Sequence, residues 1–191
     1  IVCEDSDLDI ALSTLTSFKF RNSGQVCIAP SRFYVHRKHY DSFVNGFVES
    51  AQSQKLGDGF EEATTMGPMA NARRIDAMEN FIKNAVNSGA KLLTGGKRWG
   101  DVGYFWEPTI LVDVHEESKI MKEEPFGPIA PIIPFDSLDE AITKSNSLPY
   151  GLAAYVFTQS EKNTGKLIES LEAGGIAINS AAPVPSDLPY G

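Results

Sequence analysis

The chain has 191 residues, of which 42% are hydrophobic and 22% charged, with a formal net charge of −8 and an isoelectric point near 4.9. This composition is typical of a soluble globular protein. The acidic balance argues against nucleic acid as the main partner, because phosphate binding needs a basic surface. No apolar run approaches the ~18 residues that a membrane-spanning helix needs. Two cysteines cannot form a disulfide framework and no signal peptide is recognisable, so we expect a cytoplasmic protein.

In chain order, the first predicted elements are a helix, a strand and a second helix. Acidic and capping residues at 4–9 introduce a spaced apolar series through Leu15, which predicts a helix start. The aromatic and β-branched segment RFYVH (32–36) predicts a strand. Apolar residues between Tyr40 and Ala51 recur with the spacing of one helix face, which predicts an amphipathic helix.

The middle of the chain predicts one more helix and three strands. The helical pattern covers 75–86, with Gly89 as the residue that closes it. Short strands are predicted in KLLTGG (91–96) and at 108–114. The apolar segment IAPIIPF (129–135) predicts an edge strand or an interrupted one, since proline cannot donate to a sheet ladder.

The last third predicts alternating helices and strands. Ser137 with Glu140 three residues later is a capping-box pattern, which starts a helix. A buried strand is predicted at 152–158, a helix at 160–173 and a last strand at 176–179. This alternation predicts the α/β class, as an open, largely parallel twisted sheet flanked by helices in one domain over 1–191.

Motifs for metal and phosphate binding are absent from the sequence. His36, His39 and His115 do not cluster with a cysteine in any metal-ligand spacing. Neither the dinucleotide-binding G-x-G-x-x-G fingerprint nor a P-loop occurs. Metal and phosphate chemistry therefore have no support from motifs.

The segment FRNSGQVCIAPSR (20–32) contains Cys27, one of the two cysteines. A lone cysteine is most often a small buried core residue. However, a glycine-containing turn between a helix and a strand can also present a thiolate to backbone N–H groups. No histidine lies nearby in sequence, which weighs against a Cys–His hydrolase. The residues alone leave both interpretations open.

The segment KEEPFGP (122–128) is the second candidate site. An acidic pair on a loop is usually solvated, but here prolines and a glycine restrict the backbone directly after Glu124. A carboxylate with a rigid aromatic residue two positions later, Phe126, can hold a sugar hydroxyl and an aromatic ring together. By contrast, the turn NSLPYGLA (146–153) is interpreted as packing.

These segments resemble the aldehyde dehydrogenase superfamily, because they occur in the order found in that family. The resemblance covers essentially the whole chain and is carried by the motifs FRNSGQVCIAPSRFYV, GPM (67–69), GGK (95–97), PTIL (108–111), KEEPFGPI (122–129), NSLPYGLAAYVFT (146–158), EAGGIAIN (172–179) and LPYG (188–191).

The resemblance implies a Rossmann-like catalytic domain and a thiol mechanism. Cys27 matches the nucleophile, which forms a thiohemiacetal with the aldehyde, and its N–H is one oxyanion donor. Hydride passes to the nicotinamide of NAD or NADP, and the thioester is then hydrolysed. Glu124 matches the residue that binds the nicotinamide-ribose hydroxyls, and Phe126 the aromatic residue beside it. Asn22 and Gly24 shape the nucleophile loop.

The family places further parts outside this chain. The general base, the second oxyanion donor and the cofactor-binding domain precede the residues matched here, and an oligomerisation strand follows them. The resemblance thus implies a truncated catalytic domain, taken from a homodimer or homotetramer, that acts on a small aldehyde and on neither nucleic acid nor membranes. We expect the 191-residue chain alone to show no NAD-dependent turnover.

Within the family, the chain most resembles the succinate-semialdehyde dehydrogenase branch. Arg21 matches an arginine that pairs with the substrate carboxylate there, and Ser186 lies next to the position of a second carboxylate contact. Arg21 is equally compatible with a structural role at a helix end. Ala29 replaces a cysteine that can form a redox-switch disulfide in that branch, so no such switch is expected. A broad-specificity aldehyde dehydrogenase and a Cys-dependent acyl hydrolase or transferase are the alternatives.

Overall fold

The computed structural model describes residues 1–183, in which helices and strands alternate along most of the chain. The six helices found there are α1 (Leu8–Phe20), α2 (Arg37–Ser53), α3 (Ala72–Asn87), α4 (Lys119–Lys122), α5 (Leu138–Ser145) and α6 (Glu161–Ser170). The six strands are β1 (Phe33–His36), β2 (Lys91–Thr94), β3 (Thr109–Val112), β4 (Ile129–Phe135), β5 (Ala153–Val156) and β6 (Gly175–Ile178). Across these residues, no helix has both the length and the apolar character needed to cross a membrane.

The strands form two sheets. One has the order β1-β4-β3-β2 and the other pairs β5 with β6. Parallel pairing joins β3 to β4 and β5 to β6, whereas β2 runs antiparallel to β3 with a register shift between Leu92 and Thr94. The predicted α/β class, with a mostly parallel sheet flanked by helices, is confirmed.

Strand β4 is an interior strand of the four-stranded sheet, so the predicted edge or interrupted strand is wrong. Every residue of β4 except Pro134 is buried, and Pro131 lies in register with Leu111 of β3. Each large apolar side chain gains about 1.5–3 kcal/mol on burial. The apolar side chains of this strand therefore outweigh the ladder donors that its prolines lack.

The chain divides into two compact units, each assembled from segments that are far apart in sequence. The first consists of Ile1–Leu15, Tyr34–Phe43 and the chain from Pro134 on. In it, the Asn179 amide donates to the Thr158 carbonyl at 2.8 Å and accepts from the Thr158 N–H at 3.0 Å. Since the two units interleave along the sequence, the single-domain interpretation of 1–191 stays a prediction.

The second unit consists of Thr16–Phe33 and Val44–Ile133 and contains both candidate loops. Phe47 packs edge-on against Phe20 and Phe33, with ring centroids 5.9 and 4.9 Å away. Each such aromatic pair adds about 0.5–1.5 kcal/mol beyond its buried area. The end of α1 and the start of β1 are thereby anchored, so the loop between them begins and ends at fixed points.

Candidate active site

The loop that leaves α1 is shaped by three consecutive residues with left-handed backbone conformation. Asn22, Ser23 and Gly24 have φ angles of 50°, 55° and 70°. Such angles are uncommon outside glycine, and asparagine tolerates them better than most residues. The Asn22 side chain donates to the Gln25 carbonyl at 3.0 Å, and the Gln25 N–H returns a bond to the Asn22 carbonyl at 3.0 Å. These bonds fix a sharp turn three residues before Cys27.

Side chains of this turn also bind a second loop, at 67–70. The buried Ser23 hydroxyl donates to the Gly67 carbonyl at 2.6 Å. The Gln25 amide donates to the Pro68 carbonyl at 3.2 Å and accepts from the Ala70 N–H at 2.8 Å. Sequence reasoning missed Ser23 and Gln25, because their partners are main-chain groups 43 to 45 residues away.

Cys27 is exposed on a tight turn, whereas the other cysteine is a core residue. The Ala29 N–H donates to the Val26 carbonyl at 2.9 Å, which closes a turn around Cys27. The Cys27 thiol is exposed, and among residues 1–183 none accepts a hydrogen bond from its N–H. Cys3 is buried, and burial raises the pKa of its thiol to about 11. A buried structural role therefore fits Cys3 and does not fit Cys27.

The loop after α4 exposes the Glu124 side chain next to a constrained backbone. Pro125 is buried and Phe126 is half-buried with a φ of 43°. A left-handed conformation at a bulky residue is unfavourable, and it persists where the surroundings fix it. The main chain directly after Glu124 is thus held in one conformation.

The Cys27 loop and the Glu124 loop are in direct backbone contact. A Cβ atom built on Gly24 would lie 2.3 Å from the Gly127 carbonyl oxygen. One built on Gly127 would lie 2.3 Å from the sulfur of Met78. Neither position has room for a side chain. Because Gly24 precedes Cys27 by three residues and Gly127 follows Glu124 by three, this contact fixes the two loops against each other.

A buried lysine joins the two ends of the Cys27 loop. Lys19, on the last turn of α1, is 1% exposed, and its ammonium donates to the Pro30 carbonyl at 2.9 Å. Burial lowers the pKa of Lys19 to about 7, and the charge of Glu124 opposes this shift. Sequence reasoning missed Lys19, since a lysine at a helix C-terminus is normally a solvated partner of the helix dipole.

Of the two remaining predicted site residues, Arg21 lies among the described residues. Arg21 is exposed, and its guanidinium stacks over the Phe18 ring with 5.2 Å from Cζ to the centroid. Ser186 lies outside the described residues.

Within residues 1–183, no group of three or more histidine, cysteine, aspartate or glutamate side chains is placed to hold a metal ion.

Comparison with known proteins identifies the family. The model of the aldehyde dehydrogenase family matches residues 1–191. The chain belongs to this family. The resemblance inferred from the motifs is therefore confirmed, whereas the roles of Cys27, Glu124, Phe126, Arg21 and Ser186 stay predictions.

Curated family members match the whole chain over part of their own length. The 4-(hydroxymethyl)benzenesulfonate dehydrogenase TsaD1 of Comamonas testosteroni is 42% identical over 191 residues, which are 100% of this chain and 40% of that protein. The mitochondrial succinate-semialdehyde dehydrogenase of Arabidopsis thaliana is 40% identical over 100% of this chain and 36% of its own length. The chain thus spans about two fifths of these relatives.

Solved family members share the fold. Succinate-semialdehyde dehydrogenase from Burkholderia pseudomallei superposes with a TM-score of 0.96 at 35% identity, over 100% of this chain and 40% of that one. A 3,6-anhydro-L-galactose dehydrogenase in complex with NAP superposes with a TM-score of 0.91 at 40% identity, over 94% of this chain and 38% of that one.

The contact between the two loops predicts the effect of adding a methyl group. In the full-length enzyme, Gly24→Ala is expected to destabilise the fold by about 1–3 kcal/mol and to slow alkylation of Cys27, because the methyl group overlaps the Gly127 carbonyl. Alkylation is followed by peptide mass spectrometry and stability by denaturant unfolding. Gly59→Ala is the control, since a Cβ there meets no atom within 4 Å. Equal alkylation rates in both variants would contradict the assigned contact.

The buried Lys19 predicts a pH-dependent stability difference. The folded-state pKa of Lys19 is about 7, below the ordinary lysine pKa of 10.5, so between these values the unfolded chain holds a proton that the folded chain lacks. Stability therefore rises with pH in this window. Between about pH 7 and pH 9, the free energy of unfolding of the wild type should rise by about 1–3 kcal/mol relative to that of Lys19→Met. Lys83→Met, which removes a lysine from an exposed position of α3, is the control for the change in net charge. A flat Lys19→Met difference would refute a depressed pKa.

Proposed function

We propose that this chain is the nucleophile-bearing part of an NAD(P)-dependent aldehyde dehydrogenase, with Cys27 as the attacking thiol. The observation that carries the proposal is the exposed Cys27 turn in backbone contact with the Glu124 loop. A nucleophilic thiol must be accessible to its substrate, and the exposed Cys27 meets this condition. Family membership supports the same assignment.

In the first step, the Cys27 thiolate attacks the aldehyde carbon. A carbon–sulfur bond forms, and the carbonyl electron pair moves to oxygen as the thiohemiacetal develops. The Cys27 N–H, which has no acceptor among residues 1–183, is available to donate to this oxyanion. One such donor is typically worth about 3–4 kcal/mol of transition-state stabilisation. The family resemblance assigns the second donor to a segment outside this chain.

The residues of the Glu124 loop fit a nicotinamide nucleotide. An exposed carboxylate accepts hydrogen bonds from two neighbouring ribose hydroxyls, and the half-buried Phe126 ring offers an apolar surface beside them. NAD or NADP, when bound, accepts the hydride that leaves the thiohemiacetal carbon. Cys27 then carries a thioester, which water attacks so that the carbon–sulfur bond breaks, the acid leaves and the thiolate is restored.

For the substrate, we propose an aldehyde that carries an anionic group at its far end, with succinate semialdehyde as the first candidate. Relatives named for succinate semialdehyde and for a benzenesulfonate support this class, because both names specify an anion remote from the reacting carbon. Arg21 offers an exposed guanidinium six residues before Cys27, and its planar fork suits a carboxylate or a sulfonate. Ser186 is proposed as a second contact.

A Cys-dependent acyl hydrolase or transferase is the alternative from another class. It needs a histidine base beside Cys27. The His36 ring packs edge-on against Phe135, and a ring nitrogen of His39 lies 2.9 Å from the Glu4 carbonyl oxygen. The Nδ1 of His115 accepts from the Glu117 N–H at 3.2 Å. All three histidines thus have structural partners, which favours the dehydrogenase.

The nucleophile assignment predicts a clean difference between the two cysteines. In the full-length enzyme, Cys27→Ser is expected to abolish aldehyde oxidation and the covalent thioester detected by mass spectrometry, because a serine hydroxyl is not ionised at neutral pH. Cys3→Ser should leave the adduct in place, since Cys3 is buried in the core. An adduct that survives Cys27→Ser on another residue would overturn the assignment. Cofactor-independent ester hydrolysis as the main activity would favour the hydrolase.

The substrate proposal predicts charge-selective effects of Arg21. Arg21→Ala should lower kcat/KM for succinate semialdehyde about 10–100-fold, the loss expected for one charge-assisted hydrogen-bonded pair. For uncharged aldehydes of similar length, kcat/KM should change less than about twofold. The kcat/KM for 4-formylbenzenesulfonate tests whether Arg21 also pairs with a sulfonate. Arg21→Lys, which keeps the charge but not the fork, should fall between. An equal loss for charged and uncharged aldehydes would reject a carboxylate contact and favour broad specificity.

A further inference from the structure

Arg74, near the start of α3, binds the main chain of the Glu124 loop. Its Nη2 donates to the Pro125 carbonyl and, at 3.3 Å, to the Phe126 carbonyl. These two carbonyls are the first and second after Glu124 in the chain. A single guanidinium therefore donates hydrogen bonds to two consecutive carbonyl groups directly after Glu124, whose carboxylate is proposed to bind the cofactor.

The Glu124 loop needs the hydrogen bonds from Arg74 because its own backbone has few N–H donors. Pro125 and Pro128 have no N–H, so the segment between them has few donors of its own. Phe126 is held at a φ of 43°, a conformation that a bulky residue keeps where neighbours fix it. Gly127 packs against Met78 and Met69 on the apolar side. The hydrogen bonds from Arg74 restrain the same loop on its polar side.

The Arg74 guanidinium is held in place at a cost in solvation. Burial lowers the pKa of Arg74, and the Glu124 charge acts in the opposite direction. The guanidinium stays protonated, as arginine does in proteins. Its Nε is buried and has no hydrogen-bond partner in the part of the chain that the structure describes. Placing the guanidinium here costs solvation and leaves one donor unused, whereas an exposed arginine would avoid both costs.

We propose that Arg74 is a positioning residue for cofactor binding. By holding the carbonyls of Pro125 and Phe126, it sets the direction of the Glu124 carboxylate towards the nicotinamide ribose. Arg74 acts through Glu124 and does not itself contact the cofactor. This inference rests on the cofactor-binding role proposed above for Glu124.

The preceding residue provides a matched control. Arg73 is exposed, whereas Arg74 is half-buried on the same helical turn. Arg73→Gln and Arg74→Gln therefore remove the same charge from adjacent positions. Arg74→Lys keeps the charge but replaces the planar fork with a point charge. All variants are made in the full-length enzyme.

The main measurement is the equilibrium dissociation constant of NADH and NADPH, followed by cofactor fluorescence without aldehyde present. Arg74→Gln should raise the dissociation constant of the more tightly bound cofactor about tenfold or more, and Arg74→Lys should raise it several-fold. Arg73→Gln should stay within about twofold, a difference too small to signal a lost bond. In steady state, the KM for cofactor should rise in Arg74→Gln, whereas the KM for aldehyde should not.

A double-mutant cycle tests whether Arg74 acts through the carboxylate. Glu124→Gln should itself weaken cofactor binding, and adding Arg74→Gln to it should cost much less than in the wild type. Fully additive losses would overturn the proposal, because Arg74 would then act independently. If Glu124→Gln binds as the wild type does, the proposed role of Glu124 fails and the present inference fails with it.

Two further outcomes separate the positioning role from the proposed function and from folding. If Glu124→Gln weakens binding while Arg74→Gln matches Arg73→Gln, the positioning role is wrong and the function of Glu124 stands. If Arg74→Gln does not fold, Arg74→Lys decides the matter. In that case, wild-type cofactor affinity in folded Arg74→Lys would overturn the proposal, and several-fold weaker binding would support it.

Discussion

The close approach of Gly24 to Gly127 is the constraint on which the candidate site depends. It joins the Cys27 loop and the Glu124 loop through main-chain atoms, at a distance that excludes any side chain. Gly24 also has a left-handed φ, so a glycine is required there for conformation and for space. Because Cys27 and Glu124 each lie three positions from this contact, the two main-chain segments that carry them are held against each other by the backbone.

The supporting side chains bind carbonyl groups of the loops. Lys19 binds the carbonyl of Pro30, Ser23 that of Gly67, Gln25 that of Pro68 and Arg74 those of Pro125 and Phe126. Pro30 and Pro125 are buried residues, and a buried carbonyl without a partner costs about 1–3 kcal/mol, so the bonds of Lys19 and Arg74 to them restrain the loops. The charge of Glu124 acts on Lys19 and on Arg74, since it opposes the lowering of both pKa values by burial. Loop geometry and the charge around the carboxylate are therefore set by the same residues.

Sequence patterns predicted the elements better than the site. The helical period predicted α3, and the capping-box pattern predicted α5, although the Glu140 carboxylate accepts from the Asp136 N–H instead of the Ser137 N–H. Strand β4 was assigned wrongly because its prolines were weighted above its buried side chains. Lys19 and Arg74 were missed for another reason. Their partners are carbonyls, and every residue has a carbonyl, so no residue type in the sequence marks them.

Arg21 differs from the side chains that hold the Cys27 turn in what it contacts. Arg21 is exposed and stacks on Phe18, and it takes no part in the hydrogen bonds that hold the Cys27 turn. Its substitution changes the charge presented near the thiol without removing a restraint on the loop. Ser23 and Gln25, by contrast, tie the same turn to residues 67–70, so a change there moves Cys27 itself. A substitution of Arg21 therefore removes none of the hydrogen bonds that hold the Cys27 turn, which is why Arg21 can be varied to test the proposed substrate contact.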